Sequence, residues 1–338
     1  MQLKEYFFKI RFLYLFLPVK FLMKLAKKKV IFPFYHFVSK EEVNLVNNLY
    51  KPKTVKEFVE DIKFFKNHFY ALSVKDFVNK DFKESEFAFF LSFDDGLSNF
   101  FHIVEPILSK EKISAINFLN SSFIDNKGLF YRYKVNLLIE FISIFKITKR
   151  QKKEISLLLN LNFNKKIIFF LKNATINDDK ELDKLAEVLG VSFDDFLKNE
   201  APYLTKSQIK ILIDKGFYFG AHSKNHPRYS LMNINNQLKE TLESVNEVKE
   251  QFNLRKGYFS FPFSDDGVTE EFFKKIMKEE VISFGSSGLK DEDNGTHFQR
   301  IPMEYNSVYS AETIIKGELV YYILKRILGK HKSIRKRN

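Results

Sequence analysis

Two short polar clusters carry most of the chemistry in this chain. Ser92-Phe93-Asp94-Asp95-Gly96 closes the apolar run Phe87-Ala88-Phe89-Phe90-Leu91, and His222-Ser223-Lys224-Asn225-His226-Pro227 follows Gly216-Phe217-Tyr218-Phe219-Gly220. Adjacent carboxylates repel, and the pair is most easily stabilised if one binds a cation while the other stays free to accept a proton. Successive residues of a strand face opposite ways, so Asp94 and Asp95 share a site only where the strand ends and the chain turns, a turn that Gly96 supplies. His222 and His226 are four apart and would share one face of a helical turn. Neutral imidazoles so spaced suit zinc and similar divalent ions. With one aspartate they make a two-histidine, one-carboxylate set that leaves positions for water and substrate, a pattern of catalysis more than of structure. The plainer alternative for Asp-Asp-Gly is a surface turn.

The elements that must position these clusters follow from periodicity. Both apolar runs read as buried strands of a parallel sheet, and in such sheets the loops at the C-terminal strand ends build the functional face. A strand over 30–37 ends at His36, helical spacing runs over 54–68, and the alternation continues through strands at 87–93, 114–119, 257–261 and 281–284. Strands alternating with helices imply a mostly parallel sheet. The clearest helix, over 233–252, carries an apolar stripe of Ile234, Leu238, Leu242, Val245, Val248 and Phe252. Between 120 and 201 only helical patterns occur, which marks an insertion; Gly190 closes one of them as a C-cap.

Composition narrows the partners. The absence of cysteine excludes disulfides and thiolate ligands, leaving His, Asp and Glu for a metal. The formal net charge of +13 is concentrated in 20–29 and 325–337, which suggests an anionic partner, phospholipid or acidic glycan, or else solvated tails. No nucleic-acid motif accompanies the charge, so nucleic acid is not expected as a partner. Residues 6–25 are rich in Phe and Leu but carry Lys9, Arg11, Lys20 and Lys24, too many charges for a spanning helix, and they lack the pattern of a secretory signal. They read as a basic amphipathic helix lying on the domain or on a membrane surface. The expected location is cytoplasmic, peripheral at the inner membrane, with export by an unusual signal as the alternative.

On the two clusters the chain resembles polysaccharide deacetylases of the NodB homology type, carbohydrate esterase family four. Ser92-Phe93-Asp94-Asp95-Gly96 is similar to the family's first motif, and His222-Ser223-Lys224-Asn225-His226-Pro227 to its second. The resemblance implies a deformed β/α barrel, Asp94 as catalytic base, and one divalent metal, zinc being the expected ion, held by Asp95, His222 and His226. The third motif, Arg-x-Pro-Tyr in the family, stands here as Ser260-Phe261-Pro262-Phe263, without the arginine that orients the base. In this the chain is similar to the branch that includes biofilm poly-N-acetylglucosamine deacetylases. Arg300 is the candidate compensating cation, and Pro262, Phe263 and Arg300 are candidate substrate-binding residues. The late Leu-x-His motif has no counterpart. In the branch just named a Tyr-His after an N-terminal strand takes its place, which makes His36, in Tyr35-His36, the candidate general acid.

These readings divide the chain into a basic amphipathic segment over 1–29, a deacetylase-like domain over 30–305 with a helical insertion at about 121–200, and a basic C-terminal helix and tail over 306–338. The expected activity is metal-dependent removal of acetyl groups, N-acetyl foremost, from a polysaccharide or other glycan. Two alternatives stand beside it: an O-acetyl esterase, and a glycan-binding protein that keeps the fold without catalysis. Asp265-Asp266-Gly267 is read as a turn, and His68, His102 and His297 are given no role.

Overall fold

The structure is a computed structural model that describes residues 2–40, 50–79, 83, 86–293, 295–305 and 307–336; Arg337, at the end of the basic tail, lies outside them. Eight short strands form the main sheet. They are β1 (Pro33–Tyr35), β2 (Ser92–Phe93), β3 (Ile116–Leu119), β4 (Tyr218–Ala221), β5 (Gly257–Ser260), β6 (Val281–Gly285), β7 (His297–Gln299) and β8 (Ile301–Pro302). All their pairings are parallel, in the order β7-β6-β5-β4-β3-β2-β1-β8.

The two edge strands, β7 and β8, are separated in sequence by Arg300 alone. One stretch of chain therefore pairs with β6 through Gln299 and Gly285, then with β1 through Ile301 and Pro33, and draws the sheet into a nearly closed barrel. The barrel is deformed on one side. The chain segments leading into β1 and β2 pair lower down as Val30–Ile31 and Ala88–Phe89, and Tyr70–Ala71 joins them in a separate three-stranded sheet. Neither β7 nor β8 is legible as a strand in the sequence: each is two or three residues long, too short to show a period.

Phenylalanine fills this barrel. Phe90, Phe118 and Phe284 are buried together with Phe77 from the helix Val74–Asn79, and the Phe90 and Phe284 rings stack at 5.9 Å. A richness in Phe that composition alone leaves as drift thus serves a packed interior, where each aromatic ring buries a large apolar area.

Helices cover the outside, and their ends were legible. Thr54 caps Val55–His68 in a reciprocal capping box with Glu57, and Asn233 caps Ile234–Phe252. The latter helix is rotated from its apolar stripe: Gln237, Thr241 and Ser244 are buried with Val245 and Val248, while Leu238 and Leu242 are only partly covered. Specific hydrogen bonds account for the rotation. Gln237 donates to the Tyr229 carbonyl at 2.8 Å, and the Thr241 and Tyr229 hydroxyls meet at 2.7 Å.

The all-helical stretch consists of Tyr131–Ile144, Lys149–Leu158, Phe163–Asn173, Asp179–Leu189 and Phe193–Glu200. These helices bury a core of their own around Leu138, Ile155, Leu171, Leu182 and Leu185. At the other side of the molecule the N-terminal helix Val19–Ala26 packs on the long C-terminal helix Ala311–Ile327 through Val19, Leu22, Met23 and Ala26. No helix among the described residues is long and apolar enough to cross a membrane.

Candidate active site

The site opens where β1, β2, β4 and β5 end. Strand β2 stops at Phe93, and Asp95 and Gly96 both take left-handed backbone conformations, with φ of 71° and 63°. The left-handed φ of Gly96 favours glycine, and a Cβ there would lie 2.8 Å from the end of the Leu119 side chain. The turn sends Asp94 and Asp95 in different directions around one centre.

The second cluster does not form the helical turn that its spacing suggested. Ser223 and His226 are left-handed, with φ of 67° and 57°, so an irregular turn after β4 brings the two rings together at 4.7 Å. Non-glycine residues held at positive φ are costly and persist where surrounding structure imposes them, often at functional sites. Here Ser223 Oγ accepts from the His226 backbone N–H at 2.9 Å and fixes the turn.

Asp95, His222 and His226 converge, with ligand-capable atoms within 4.8 Å of one another. The Asp95 Oδ1 atom lies 3.5 Å from His222 Nε2 and 3.4 Å from His226 Nε2, and it is buried without a hydrogen-bond partner. Burial is the chief cause that lowers the pKa of both imidazoles, which favours their neutral forms. His222 Nδ1 lies 2.8 Å from the Ser260 carbonyl, which places the ring proton there and turns the Nε2 lone pair inward. An orphaned carboxylate oxygen facing two neutral imidazole nitrogens is a donor set that fits a divalent cation. Tyr133, on the first helix of the all-helical stretch, donates its hydroxyl to the other Asp95 oxygen at 3.0 Å. Sequence reading missed Tyr133; one tyrosine in an aromatic helix gives no sign of reaching a distant carboxylate.

Asp94 faces a different set. Arg300 reaches it with both terminal nitrogens, Nη1 to Oδ1 at 2.8 Å and Nη2 to Oδ2 at 2.7 Å. Arg300 also donates to the hydroxyls of Ser92 and Ser260. Burial opposes the Asp94 charge, but Arg300 foremost, helped by His36, outweighs it and holds the carboxyl far below the usual range. Arg300 is fully buried and does not line the cleft, so it is no substrate contact; it holds Asp94 from behind. Ser260, where the family pattern has arginine, leaves room for a guanidinium arriving from between β7 and β8.

His36 follows β1 and lines the cleft opposite. Its Nδ1 lies 2.6 Å from Glu304 Oε2, and the same carboxylate accepts from the backbone N–H of His36 and of Phe37, each at 2.8 Å. Burial works against the imidazolium, but Glu304, followed by Asp95 and Asp94, pushes its pKa up to about 9. Glu304 was not foreseen, since nothing in its sequence neighbours marks it. Phe263 lines the cleft from a left-handed conformation with φ of 59°, its ring 4.6 Å from that of His226. Pro262 does not line the cleft: it is buried beneath, and its carbonyl accepts from the Ser264 N–H at 2.7 Å to shape the turn. The cavity in front of these groups is about 820 Å³, large enough for sugar units.

His297 and Asp265 belong to another cluster. His297 Nε2 lies 3.1 Å from Asp265 Oδ2, and Arg335, near the C-terminus, pairs with Asp265 and, at 2.8 Å, with Glu292. Asp265-Asp266-Gly267 is thus a turn whose first residue ties down the tail.

The polysaccharide deacetylase family model matches residues 83–279, more than half of the chain, and the chain belongs to that family. No curated protein matches it. Among solved structures it is similar to the Streptococcus pyogenes deacetylase PplD in complex with acetate, with a TM-score of 0.55 and 15% identity over 86% of this chain and 98% of that one. IcaB from Ammonifex degensii gives 0.51 and 12% over 86% and 97%. The polysaccharide deacetylase BC0361 from Bacillus cereus gives 0.51 and 12% over 86% and 69%. At these identities the likeness is one of fold.

Proposed function

We propose that the protein is a metal-dependent deacetylase that hydrolyses N-acetyl groups on a glycan. The observation that supports this best is the separation of two aspartates into two environments. Asp95 faces neutral histidines with a bare oxygen, while Asp94 is held as an anion by Arg300. Asp95, His222 and His226 would hold one divalent ion, zinc being the ion such a set suits. Bound there, the ion supplies acidity to water and polarises a carbonyl.

The chain's own groups supply the rest. Asp94 takes a proton from the attacking water as its oxygen forms a bond to the acetyl carbon. Its low pKa keeps it ready to do so throughout the neutral range. When the carbon–nitrogen bond breaks, the amine must leave protonated, and His36, charged through its pairing with Glu304, is placed to give that proton. An acid of this strength suits an amine leaving group, which favours the amide over the ester. The glycan-binding alternative is motivated by the missing arginine and the missing late histidine; Arg300 on Asp94 speaks against the first, and His36 is the proposed substitute for the second.

Acetate release from N-acetylated and O-acetylated oligosaccharides tests the assignment. We expect release from the amides, lost in Asp94→Asn at unchanged metal content, and metal content itself lost in His222→Ala. Release from esters alone, or full activity in Asp94→Asn, would overturn it.

The same reading includes a location on an anionic membrane surface, at the cytoplasmic face of the inner membrane. Its support is the outer side of the N-terminal segment, where Phe12, Leu13, Phe16, Phe21 and Leu25 are exposed beside Arg11, Lys20 and Lys24. Apolar area and positive charge add in binding to anionic lipid.

A further inference from the structure

Two arginines line the cleft without a role in the chemistry above. Arg228 sits two residues after His226, and its guanidinium lies 4.7 Å from the ring centre of Phe263, so one aromatic ring separates it from the His226 imidazole. Arg132 immediately precedes Tyr133, the residue that bonds Asp95. Both line the same cavity, Arg228 from the turn after β4 and Arg132 from the helix Tyr131–Ile144, and the Arg228 charge acts on Arg132.

Neither has a carboxylate partner among the described residues. The polar contact of Arg132 is the Lys172 carbonyl at 3.3 Å. Asp178 acts on the neighbouring Tyr131, and its Oδ2 atom is taken by the backbone N–H and hydroxyl of Thr175. The contrast with Lys134, two residues further along the same helix, is sharp, since it pairs with both Asp179 and Asp183. Like charges brought together at the mouth of a cleft repel unless an anion bridges them. Guanidinium groups match phosphate oxygens in pairs, and two of them balance a dianion better than a single carboxylate would.

We propose that Arg132 and Arg228 form a subsite for a phosphate-bearing group on the acetylated glycan, adjacent to the sugar being deacetylated. The proposal rests on the deacetylase reading, and it identifies the substrate as a glycan phosphate or diphosphate.

Acetate release is measured with the metal-loaded full chain on N-acetylglucosamine 1-phosphate, methyl N-acetylglucosaminide and an N-acetylglucosaminyl-glucuronate disaccharide. The wild type should prefer the phosphate by ~10-fold in kcat/KM, mostly through KM, and Arg132→Gln/Arg228→Gln should erase that preference. The same sugar on a polyprenyl diphosphate in vesicles, if preferred further, identifies the source as lipid-linked; if not, as soluble. Equal preference in wild type and double variant overturns the subsite, and so does a preference for the uronate. If no sugar releases acetate, the deacetylase reading is what fails, and calorimetry with inorganic pyrophosphate judges the subsite alone. Binding ~10-fold weaker in the double variant at matched metal content supports it; unchanged binding overturns it. The double Lys variant, which keeps the charges, should retain most of the pyrophosphate affinity and so separates loss of charge from loss of fold.

Discussion

Arg300 decides how Asp94 behaves. It is a buried cation forked onto a buried carboxylate, and removing one member of such a pair leaves the other uncompensated at a cost of about 3–5 kcal/mol. Arg300→Gln should therefore lower the melting temperature and reduce kcat by ~10²–10⁴-fold, the range of a general base. It should also change the pH profile. The guanidinium depresses the Asp94 pKa, so its loss raises that pKa, and activity in the variant should fall as pH drops through the new value while the wild type stays flat. A wild-type profile in Arg300→Gln would show that Asp94 is held by other groups. His36 sets the opposite limb. Its pKa is raised to about 9, so the proton it donates is present below that pH and kcat should decline as pH rises through it. Glu304→Gln removes the chief raising charge and should move the decline toward neutrality. Stopped assays from acid to alkaline pH read both limbs.

At the scale of elements, the two chain ends form one unit. Val19–Ala26 buries one face against Ala311–Ile327 and leaves Phe21 and Leu25 outward, and Lys316 on the C-terminal helix donates to the Leu15 carbonyl at 2.6 Å. Of the two placements expected for the amphipathic segment, the inner face lies on the domain; the outer face is exposed, and the proposal that it meets lipid rests there. Co-sedimentation with anionic vesicles should pellet the full chain at low salt and release it as salt rises. The double substitution Phe12→Ser/Phe16→Ser, at two exposed positions, should weaken the binding without lowering the melting temperature. Protein that stays in the supernatant at low salt would remove the membrane from the account.

For the whole molecule, the proposed metal centre would tie three regions together. Asp95 follows β2, the histidines follow β4, and Tyr133 comes from the helical stretch with its own core. A ligand that binds only the folded state stabilises it by mass action, about 2.7 kcal/mol at 100 times its dissociation constant. Chelation should therefore lower the melting temperature by several degrees, zinc should restore it, and His222→Ala should show neither change. An identical melt with and without chelator in the wild type would argue against an ion at this centre.

The sequence by itself determined the elements with long periods and strong caps, and the two clusters whose spacing is local. Asp94 and Asp95 are neighbours along one turn, and His222 and His226 along another, so their types and order were legible before any fold was known. The parallel class of sheet was legible too, because apolar runs alternated with helices. Tertiary structure decided the rest, including whether Arg300, which the sequence offered only as a candidate, reaches Asp94 at all. Arg300 meets Asp94 across 206 positions of chain, and it does so because β7 and β8 close opposite edges of one barrel, a topology no local pattern carries. Glu304 behind His36 and Tyr133 behind Asp95 are likewise single residues joined to their partners by closure and packing. Local periodicity reports which face of an element is apolar; the partner of a buried charge is set by which distant segment the closed barrel brings within hydrogen-bond reach.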